Sequence, residues 1–447
     1  MLRIVTTISA LLAGIALLLV GSGLLNTLLP LRGAVEGFSD QTLGLFGSAY
    51  FAGFMLGTWL CPKLIRRMGH IRAFAFFASA AAACIILHVI HIDMLFWLLL
   101  RLATGTALVG VYTSIESWLN TGAPKEQRGR VFAVYMVVNL GALALAQQLL
   151  QMENPLANLT FGIAAFFVII AIMPVVATRL PQPEMVETTT LSLKALWRAA
   201  PVACAGAMLA GLAMGAFWGL GALFAGRVGM DTSQIASFMS LIIIAGAVFQ
   251  WPMGVVSDRI DRRLALAIVC GVAAVGGVLM ALLSGSATGL LIGAAIFGAG
   301  SFSVYPTVVA HLIDHLRKEE VLSGNAGMLM LHGTGSAMGP ALAGWLMGVT
   351  STLMLPLYFA MMFAAAALFA MLRWRDRRDR IVDEPARHVS MVGTSPEALE
   401  MVVDEQKPDE TVVTEADAVP GSAEDGAEPA ATGAGDETSP ADRLSGG

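Results

Sequence analysis

Long apolar runs alternate with short polar segments over the first 375 residues, and this pattern predicts membrane-spanning helices. A helix needs about 20 apolar residues to cross the hydrocarbon core of a bilayer. Twelve runs reach that length, in two sets of six that a polar segment separates. Their predicted bounds are 6–30, 41–62, 73–92, 94–119, 131–152 and 158–178, then 201–226, 234–256, 264–284, 287–311, 321–349 and 353–372.

The same pattern predicts an all-α integral membrane protein with two six-helix bundles. The expected order is an N-terminal bundle (1–178), a cytoplasmic linker (179–200), a C-terminal bundle (201–375) and a tail (376–447). An amphipathic stretch at 191–197 suggests that the linker lies partly on the membrane surface. The first apolar run lacks a small-residue cleavage site, so we expect a retained helix and not a cleaved signal.

Composition supports the membrane interpretation and separates the tail from the rest. Hydrophobic residues make up 56% of the chain and charged residues only 13%, with a mean hydropathy of +0.73, which excludes an ordinary soluble enzyme. The net charge of -5 is unevenly distributed along the chain, because residues 381–447 hold sixteen acidic and three basic side chains. Such a segment cannot bury enough apolar area to fold. We expect a disordered, acidic, cytoplasmic tail.

Basic side chains cluster in alternate loops, which fixes the expected orientation. The clusters are Lys63, Arg66, Arg67 and Arg72; Lys125, Arg128 and Arg130; and five arginines in residues 373–380. Loops rich in Lys and Arg stay in the cytoplasm. The sequence therefore predicts a multi-pass protein of a bacterial-type inner membrane with both termini cytoplasmic, surrounded by lipids and not bound to nucleic acid.

Residues 57–72 (GTWLCPKLIRRMGHIR) and 254–263 (GVVSDRIDRR) occupy the same place in the two sets of six helices. Glycine lets helices approach closely, and an aspartate can cap a helix or accept hydrogen bonds from arginine. We interpret both segments as conformational-switch loops, with a plain topology anchor as the alternative. Their candidate residues are Gly57, Arg66, Arg67 and Gly69, then Gly254, Asp258, Arg259, Arg262 and Arg263.

The second segment resembles the signature loop of the major facilitator superfamily, which lies between helices 2 and 3 and often recurs between helices 8 and 9. This chain departs from the pattern at Cys61, where the family has Asp, and at Asp261, where it has Gly. Residues 105–112 and 298–305 form a further repeat, each starting with Gly and ending with Tyr. The resemblance implies parallel six-helix halves around a central substrate site.

Three further stretches look like the YcaD-like subgroup of that superfamily. They are a turn at residues 29–33 (LPLRG) followed by 36–38 (EGF), residues 116–120 (ESWLN), and Tyr305-Pro306 followed by Ala310-His311. The subgroup carries no assigned substrate. The resemblance covers residues 1–375 and implies secondary transport by alternating access, with a proton gradient as the energy source.

Arg101 is the main candidate for function in the first half. It lies about seven residues, or roughly 10 Å, inside the outer end of the fourth helix, and a charge within the membrane is a functional hypothesis by default. With Gly105 it resembles the fourth-helix motif that the superfamily associates with proton coupling. A snorkelling or structurally paired arginine is the alternative. A site with Arg101 and few carboxylates favours an anionic or neutral solute.

Glu116 is the candidate proton carrier, because carboxylates form the proton relays of many transporters. The alternative is a structural pair with Arg128 or Arg130. Other polar or aromatic side chains within the runs could contact substrate, although interhelical hydrogen bonds are their commoner use. These candidates are Asn26, Tyr112, Asn139, Trp218, Gln250, Tyr305 and His332. Because histidine in water titrates near neutral pH, His332 is a further candidate for a coupled proton.

No enzyme motif appears: the chain lacks a phosphate-binding glycine loop, a metalloprotease motif and a nucleophile elbow. Its four cysteines show no paired spacing, so we expect no disulfide, metal or cofactor. The sequence predicts a monomeric secondary transporter that is not an enzyme. Multidrug efflux is one alternative, although the fifth helix lacks the Gly-Pro motif of drug antiporters. The other is a sensor or scaffold that acts through the acidic tail.

Overall fold

The structure, a computed structural model, describes residues 2–122, 127–152, 157–177, 183, 192–317 and 320–375. All of these fall within one compact unit. The predicted tail and most of the predicted linker lie outside the described residues. Within the described ranges every regular element is helical.

Fourteen α-helices form the described part of the chain. Their bounds are α1 Leu2–Val35, α2 Asp40–Met68, α3 His70–Ile90, α4 Met94–Gly122, α5 Arg128–Gln148, α6 Asn158–Ile170, α7 Ile172–Val176, α8 Leu193–Ala199, α9 Pro201–Arg227, α10 Thr232–Arg259, α11 Arg262–Leu282, α12 Ala287–Ile313, α13 Val321–Val349 and α14 Met354–Arg375. A single 3-10 turn, Leu149–Gln151, extends α5.

Eleven helical spans of the described chain are long and apolar enough to cross a membrane, with α6 and α7 together forming one of them. The twelfth crossing is α13, which is 29 residues long but carries Asn325, His332 and several glycines. It packs against α9 and α2, so its polar and small residues meet other helices more than lipid. The predicted class, about twelve transmembrane helices in two bundles, is confirmed.

The two bundles repeat the same helix packing. In the first, α4 packs on α2 and α3; in the second, α12 packs on α10 and α11. The repeated glycines lie at equivalent contacts: a Cβ on Gly105 would lie 2.0 Å from the Tyr50 carbonyl oxygen, and one on Gly298 would lie 2.3 Å from that of Ile242. Only glycine permits either approach. The internal sequence repeat therefore corresponds to a repeated helix crossing.

The two predicted switch loops are wrong as loops, because most of their residues belong to helices. α2 runs to Met68, and Gly69 alone, with φ of 79°, precedes α3. α10 includes Asp258 and Arg259, and α11 begins at Arg262. Arginine at the last turn of a helix interacts favourably with its free carbonyl groups. Arg66 and Arg67 thus lie in the last turn of α2, and Arg259 ends α10.

The predicted turn at residues 29–33 is also wrong. α1 continues through Pro30 to Val35. Proline is tolerated in membrane helices, where neighbouring groups satisfy the freed carbonyl. An ion pair of 2.6 Å between Arg32 and Glu36 spans the end of the helix, which favours its continuation.

We call the end of the molecule that carries Arg66, Arg67, Arg259 and Arg262 the basic face, and the end that carries Asp40, Asp93 and Asp231 the far face.

The short helix α8 belongs to the predicted linker and begins with Ser192 as its cap. Its Leu196 is fully buried, whereas Trp197 is half exposed with its ring 6.3 Å from that of Phe369. One side of α8 thus packs against the second bundle.

Candidate functional site

Arg101 lies on the inner side of α4 and is almost fully buried, with 4% of its surface exposed. Its Nη2 donates to Asn26 Oδ1 at 3.0 Å and its Nε donates to the Phe46 carbonyl at 3.5 Å. Its guanidinium carbon lies 4.5 Å from the centre of the Tyr50 ring. Helices α1, α2 and α4 therefore hold this cation together, and the predicted candidates Asn26 and Arg101 are brought into contact.

A small cavity lies beside the Arg101 guanidinium. About 10 Å³ is available to the centre of a water molecule, which is room for about one water. Most of its lining comes from α1, α2 and α4, and Gly219 of α9 completes it, so both bundles contribute. The lining residues are Asn26, Leu29, Pro30, Leu43, Phe46, Gly47, Arg101 and Gly219.

The polar contacts described between the two bundles lie toward the far face. Arg227 of α9 forms an ion pair of 3.0 Å with Asp40 of α2. The Ala341 amide donates to Ser48 Oγ at 2.9 Å. On the opposite side of the interface, Gln148 Nε2 donates to Ser240 Oγ at 2.6 Å. We call the α2–α9–α13 part of this interface the far gate.

Small residues bring the helices of the far gate into backbone contact. A Cβ on Gly44 of α2 would lie 2.3 Å from the Pro340 carbonyl oxygen and 3.1 Å from the Gly344 Cα. One turn further in, a Cβ on Gly47 would lie 3.2 Å from the Gly219 Cα. Because Gly47 and Gly219 also line the cavity, the gate is continuous with the wall beside Arg101.

Glu116 occupies a second buried position, nearer the basic face. It is fully buried, and the Tyr135 hydroxyl donates to its Oε1 at 2.5 Å. Asn139 follows Tyr135 by one turn of α5, and Tyr112 precedes Glu116 by one turn of α4. Three predicted candidates, Tyr112, Glu116 and Asn139, therefore lie along adjoining faces of α4 and α5, with Tyr135 as an additional member.

The candidates of the second bundle form two further contacts. Gln250 Nε2 donates to the Phe302 carbonyl at 3.0 Å, and the Trp218 ring lies 6.2 Å from the Phe302 ring. The Tyr305 and His332 rings are 4.8 Å apart. His332 Nδ1 also lies 3.2 Å from the Ala207 carbonyl. Each contact joins different helices, which is the interhelical use considered as an alternative for these residues.

Arg101 and Glu116 do not share one site. They are fifteen residues apart on α4, which is about 22 Å along a helix. No described hydrogen bond joins them. In the first bundle, the buried Arg101 therefore lies below the far gate, and the buried Glu116 lies nearer the basic face.

The basic cluster of the second bundle forms a network within that bundle. Arg262 Nη1 donates to Asp258 Oδ1 at 2.6 Å, and its Nε donates to Asp314 Oδ2 of α12 at 3.1 Å. Arg263 Nη1 donates to the Arg373 carbonyl of α14 at 2.7 Å. Asp261 caps α11 by accepting from the Arg263 amide. The network ties the ends of α10, α11, α12 and α14 together.

The first copy of the segment makes different contacts. Cys61, at the position of the missing aspartate, is buried and its Sγ lies 3.3 Å from the Thr106 carbonyl. A Cβ on Gly57 would lie 3.0 Å from that same oxygen. Arg66 and Arg67 are exposed at the basic face. The first copy therefore keeps a close contact between helices at Gly57. Within the described residues, Cys61 makes no contact that corresponds to the one between Asp258 and Arg262 in the second copy.

Several residues of these sites were missed by sequence reasoning. They are Tyr50, His88, Tyr135, Asp314 and the gate residues Asp40, Ser48 and Arg227. His88 is fully buried, with its Nδ1 2.6 Å from the Cys84 carbonyl. A lone polar residue in an apolar run was the available signal for His88 and Tyr50. The sequence gives no indication of the partners across the gate, since they are far apart along the chain.

Within the described residues no cluster of three metal-ligating side chains occurs.

Comparison with known proteins gives one family and consistent structural neighbours. The sequence signature of the Major Facilitator Superfamily matches residues 2–147 and 203–415. An uncharacterized MFS-type transporter, YcaD of Escherichia fergusonii, is 29% identical over 384 residues, which cover 85% of this chain and 97% of that protein.

Two solved structures are among the similar folds. The nucleoside transporter NupG has a TM-score of 0.68 at 15% identity, with 83% of this chain and 99% of that one covered. A bacterial homologue of the human lysosomal transporter Spinster, in an inward-facing and occupied conformation, has a TM-score of 0.68 at 16% identity, with 84% and 98% covered. At these identities the likeness shows the fold alone.

Proposed function

The chain belongs to the major facilitator superfamily, and from this premise we propose that it is a proton-coupled secondary transporter that moves a small solute by alternating access. The main support for the proposal is that the far gate lies directly above the Arg101 cavity. Both bundles contribute to the gate and to the cavity wall. Rocking of one bundle against the other would open the gate and expose the cavity to the far side.

The orientation follows from the charges at the two ends. Basic residues favour the cytoplasmic side, so we assign the basic face to the cytoplasm and the far face to the outside of an inner membrane. In this assignment the structure corresponds to the state closed toward the outside.

The proposal also includes the predicted bounds of the two bundles and the linker, and a monomeric state. The acidic tail lies outside the described residues, so its role as a scaffold remains a prediction that deletion of residues 381–447 would test.

The general test is internal pH in proteoliposomes that contain the purified protein, while pooled metabolites and drugs are added outside. A proton-coupled transporter changes the internal pH with a pool that contains its substrate, and splitting that pool identifies the solute. Absence of any pool-dependent change would contradict proton-coupled transport.

Cross-linking of the far gate provides a reversible control for that test. In an Asp40→Cys, Arg227→Cys double variant, a short bifunctional methanethiosulfonate forms a disulfide with each cysteine and expels sulfinate. It is expected to join the bundles and abolish transport until a reductant cleaves those disulfides. Both positions are accessible, with 16% and 44% of the side chains exposed, and the four native cysteines are buried. Each single variant, treated with the same reagent, should keep transport. Full activity of the cross-linked double variant would contradict gating at this interface.

Glu116 is proposed as the residue that binds and releases the coupled proton. A Glu116→Gln variant keeps the acceptor for the Tyr135 hydroxyl but cannot titrate. We expect it to lose solute accumulation driven by a pH gradient while it retains exchange of labelled for unlabelled solute. Ser114→Ala, whose hydroxyl donates to the Gly110 carbonyl within α4, is the matched control and should keep pH-driven accumulation. Retained pH-driven accumulation in Glu116→Gln would contradict the assignment.

A further inference from the structure

Arg101 is a buried cation with no carboxylate partner among the described residues. The described ion pairs join Arg32 to Glu36, Arg227 to Asp40, Arg262 to Asp258 and Asp314, and Arg317 to Glu320. Removing a charge from water is costly unless an opposite charge accompanies it. The fold therefore maintains an arginine 4% exposed without a counter-charge among the described residues.

The contacts of the guanidinium are neutral and incomplete. Two of its nitrogens donate to the Asn26 amide oxygen and the Phe46 carbonyl, and Tyr50 offers the face of its ring. The third nitrogen, Nη1, is buried and has no hydrogen-bond partner in the described structure. An unmet donor on a charged group costs more than one on a neutral group. Nη1 is thus a donor without its acceptor.

A small cavity that Arg101 helps to line offers space for an acceptor. Its size corresponds to about one water, and Arg101 supplies the only charge in its lining. Asn26 is the other polar side chain of the lining, and Leu29, Leu43 and Phe46 are apolar members of it. One anionic oxygen fits this volume and would not meet a second cation among the lining residues.

We propose that Arg101 binds the carboxylate of a monoanionic organic solute, one oxygen of which accepts a hydrogen bond from Nη1. This inference rests on the proposed transport function and names its substrate class. Arginine recognises carboxylates through charge and planar geometry together. Since Arg101 also donates to the Phe46 carbonyl, next to Gly47 of the far gate, a bound carboxylate would neutralise the cation directly below the gate.

An Asn26→Asp variant tests the missing counter-charge without knowledge of the solute. Asn26 Oδ1 already accepts from Arg101 at 3.0 Å, so aspartate would place a permanent carboxylate there with little change of shape. We expect a higher unfolding temperature than wild type. Asn139→Asp is the matched control: Asn139 is also buried, with 4% exposed, but lies beside Tyr135 and Glu116. This control should lower the unfolding temperature. A lower unfolding temperature for Asn26→Asp would overturn the proposal.

Binding is measured with a panel of monocarboxylates, each paired with its neutral amide, such as benzoate with benzamide and butyrate with butyramide. Acids are expected to raise the unfolding temperature of the wild-type protein and their amides are not. Arg101→Gln and Asn26→Asp should each weaken acid binding by about 10- to 100-fold, the range for a charged hydrogen bond. Arg317→Gln, whose side chain is 80% exposed at the basic face, should bind the acids as wild type does.

The outcomes separate this inference from the transport function. Acid binding that persists in both Arg101→Gln and Asn26→Asp, equal binding of amides, or no binding of any acid would overturn the carboxylate assignment. If Arg101→Gln fails to fold, the Asn26→Asp variant alone decides. Transport of neutral or cationic solutes that is unaffected by Asn26→Asp would support the transporter and contradict its substrate class. A wild-type protein that binds acids but transports none would support the site and contradict the function.

Discussion

Replacing Gly44 by leucine is expected to hold the far gate open and abolish transport while the protein remains folded. A Cβ at this position would lie 2.3 Å from the Pro340 carbonyl oxygen, a contact that only separation of α2 and α13 relieves. Overpacking of this kind costs about 1–3 kcal/mol, which shifts a two-state equilibrium by about 5- to 150-fold. Because the nearest atoms belong to the other bundle, each bundle keeps its own packing.

The shift can be measured through Ser48→Cys, which lies in the same gate and accepts from the Ala341 amide in the wild-type protein. In the Gly44→Leu background, an impermeant thiol reagent added outside should label Cys at position 48 faster. Gly162→Leu is the matched control, because no atom lies within 4 Å of a Cβ at Gly162. Unchanged labelling with a lowered unfolding temperature would show that Gly44 serves packing and not gating.

Arg262→Ala is expected to destabilise the second bundle more than Arg259→Ala does. Arg262 bridges Asp258 of α10 and Asp314 of α12, and its side chain and that of Asp314 are only 10% and 8% exposed. Breaking such a buried pair by removal of one partner costs about 3–5 kcal/mol. The unfolding temperature should fall, and transport should fall with it if the ends of α10, α11 and α12 move as one unit.

Arg259→Ala is the control for this prediction, because Arg259 is exposed at the end of α10, next to Asp258. Its removal should change the unfolding temperature little, as expected for a surface charge. Equal stability of the two variants would contradict a structural role for the Arg262 network. Loss of transport in Arg262→Ala without loss of stability would instead favour the conformational switch proposed from sequence.

The fold was predictable because the bilayer imposes strong rules on a sequence. Helices of about 20 apolar residues, alternate basic loops and a repeated glycine pattern each follow from the cost of exposing charge or backbone to lipid. The repeat at Gly105 and Gly298 even located equivalent helix crossings in the two bundles. Helix ends were predicted less well, because the helices continue beyond the apolar runs: α1 passes through Pro30 to Val35, and α10 continues to Arg259.

The candidate site was predictable only in its charged members. Arg101 and Glu116 were identified because a charge in an apolar run is conspicuous and costly. Their partners Tyr50 and Tyr135 were not, because each lies on another helix and has an ordinary core side chain in sequence. Asn26 was identified as polar, but its contact with Arg101 spans 75 positions.

The sequence by itself determined that the chain crosses a membrane about twelve times in two related halves, since hydropathy and charge act locally along the chain. Only the tertiary structure decided that Gly44 meets Pro340 across the bundles, that Arg262 meets Asp314, and that Arg101 faces a cavity without a counter-charge. These contacts join segments that are far apart in sequence, so their geometry depends on how whole helices pack. That packing places the gate and the cavity one above the other.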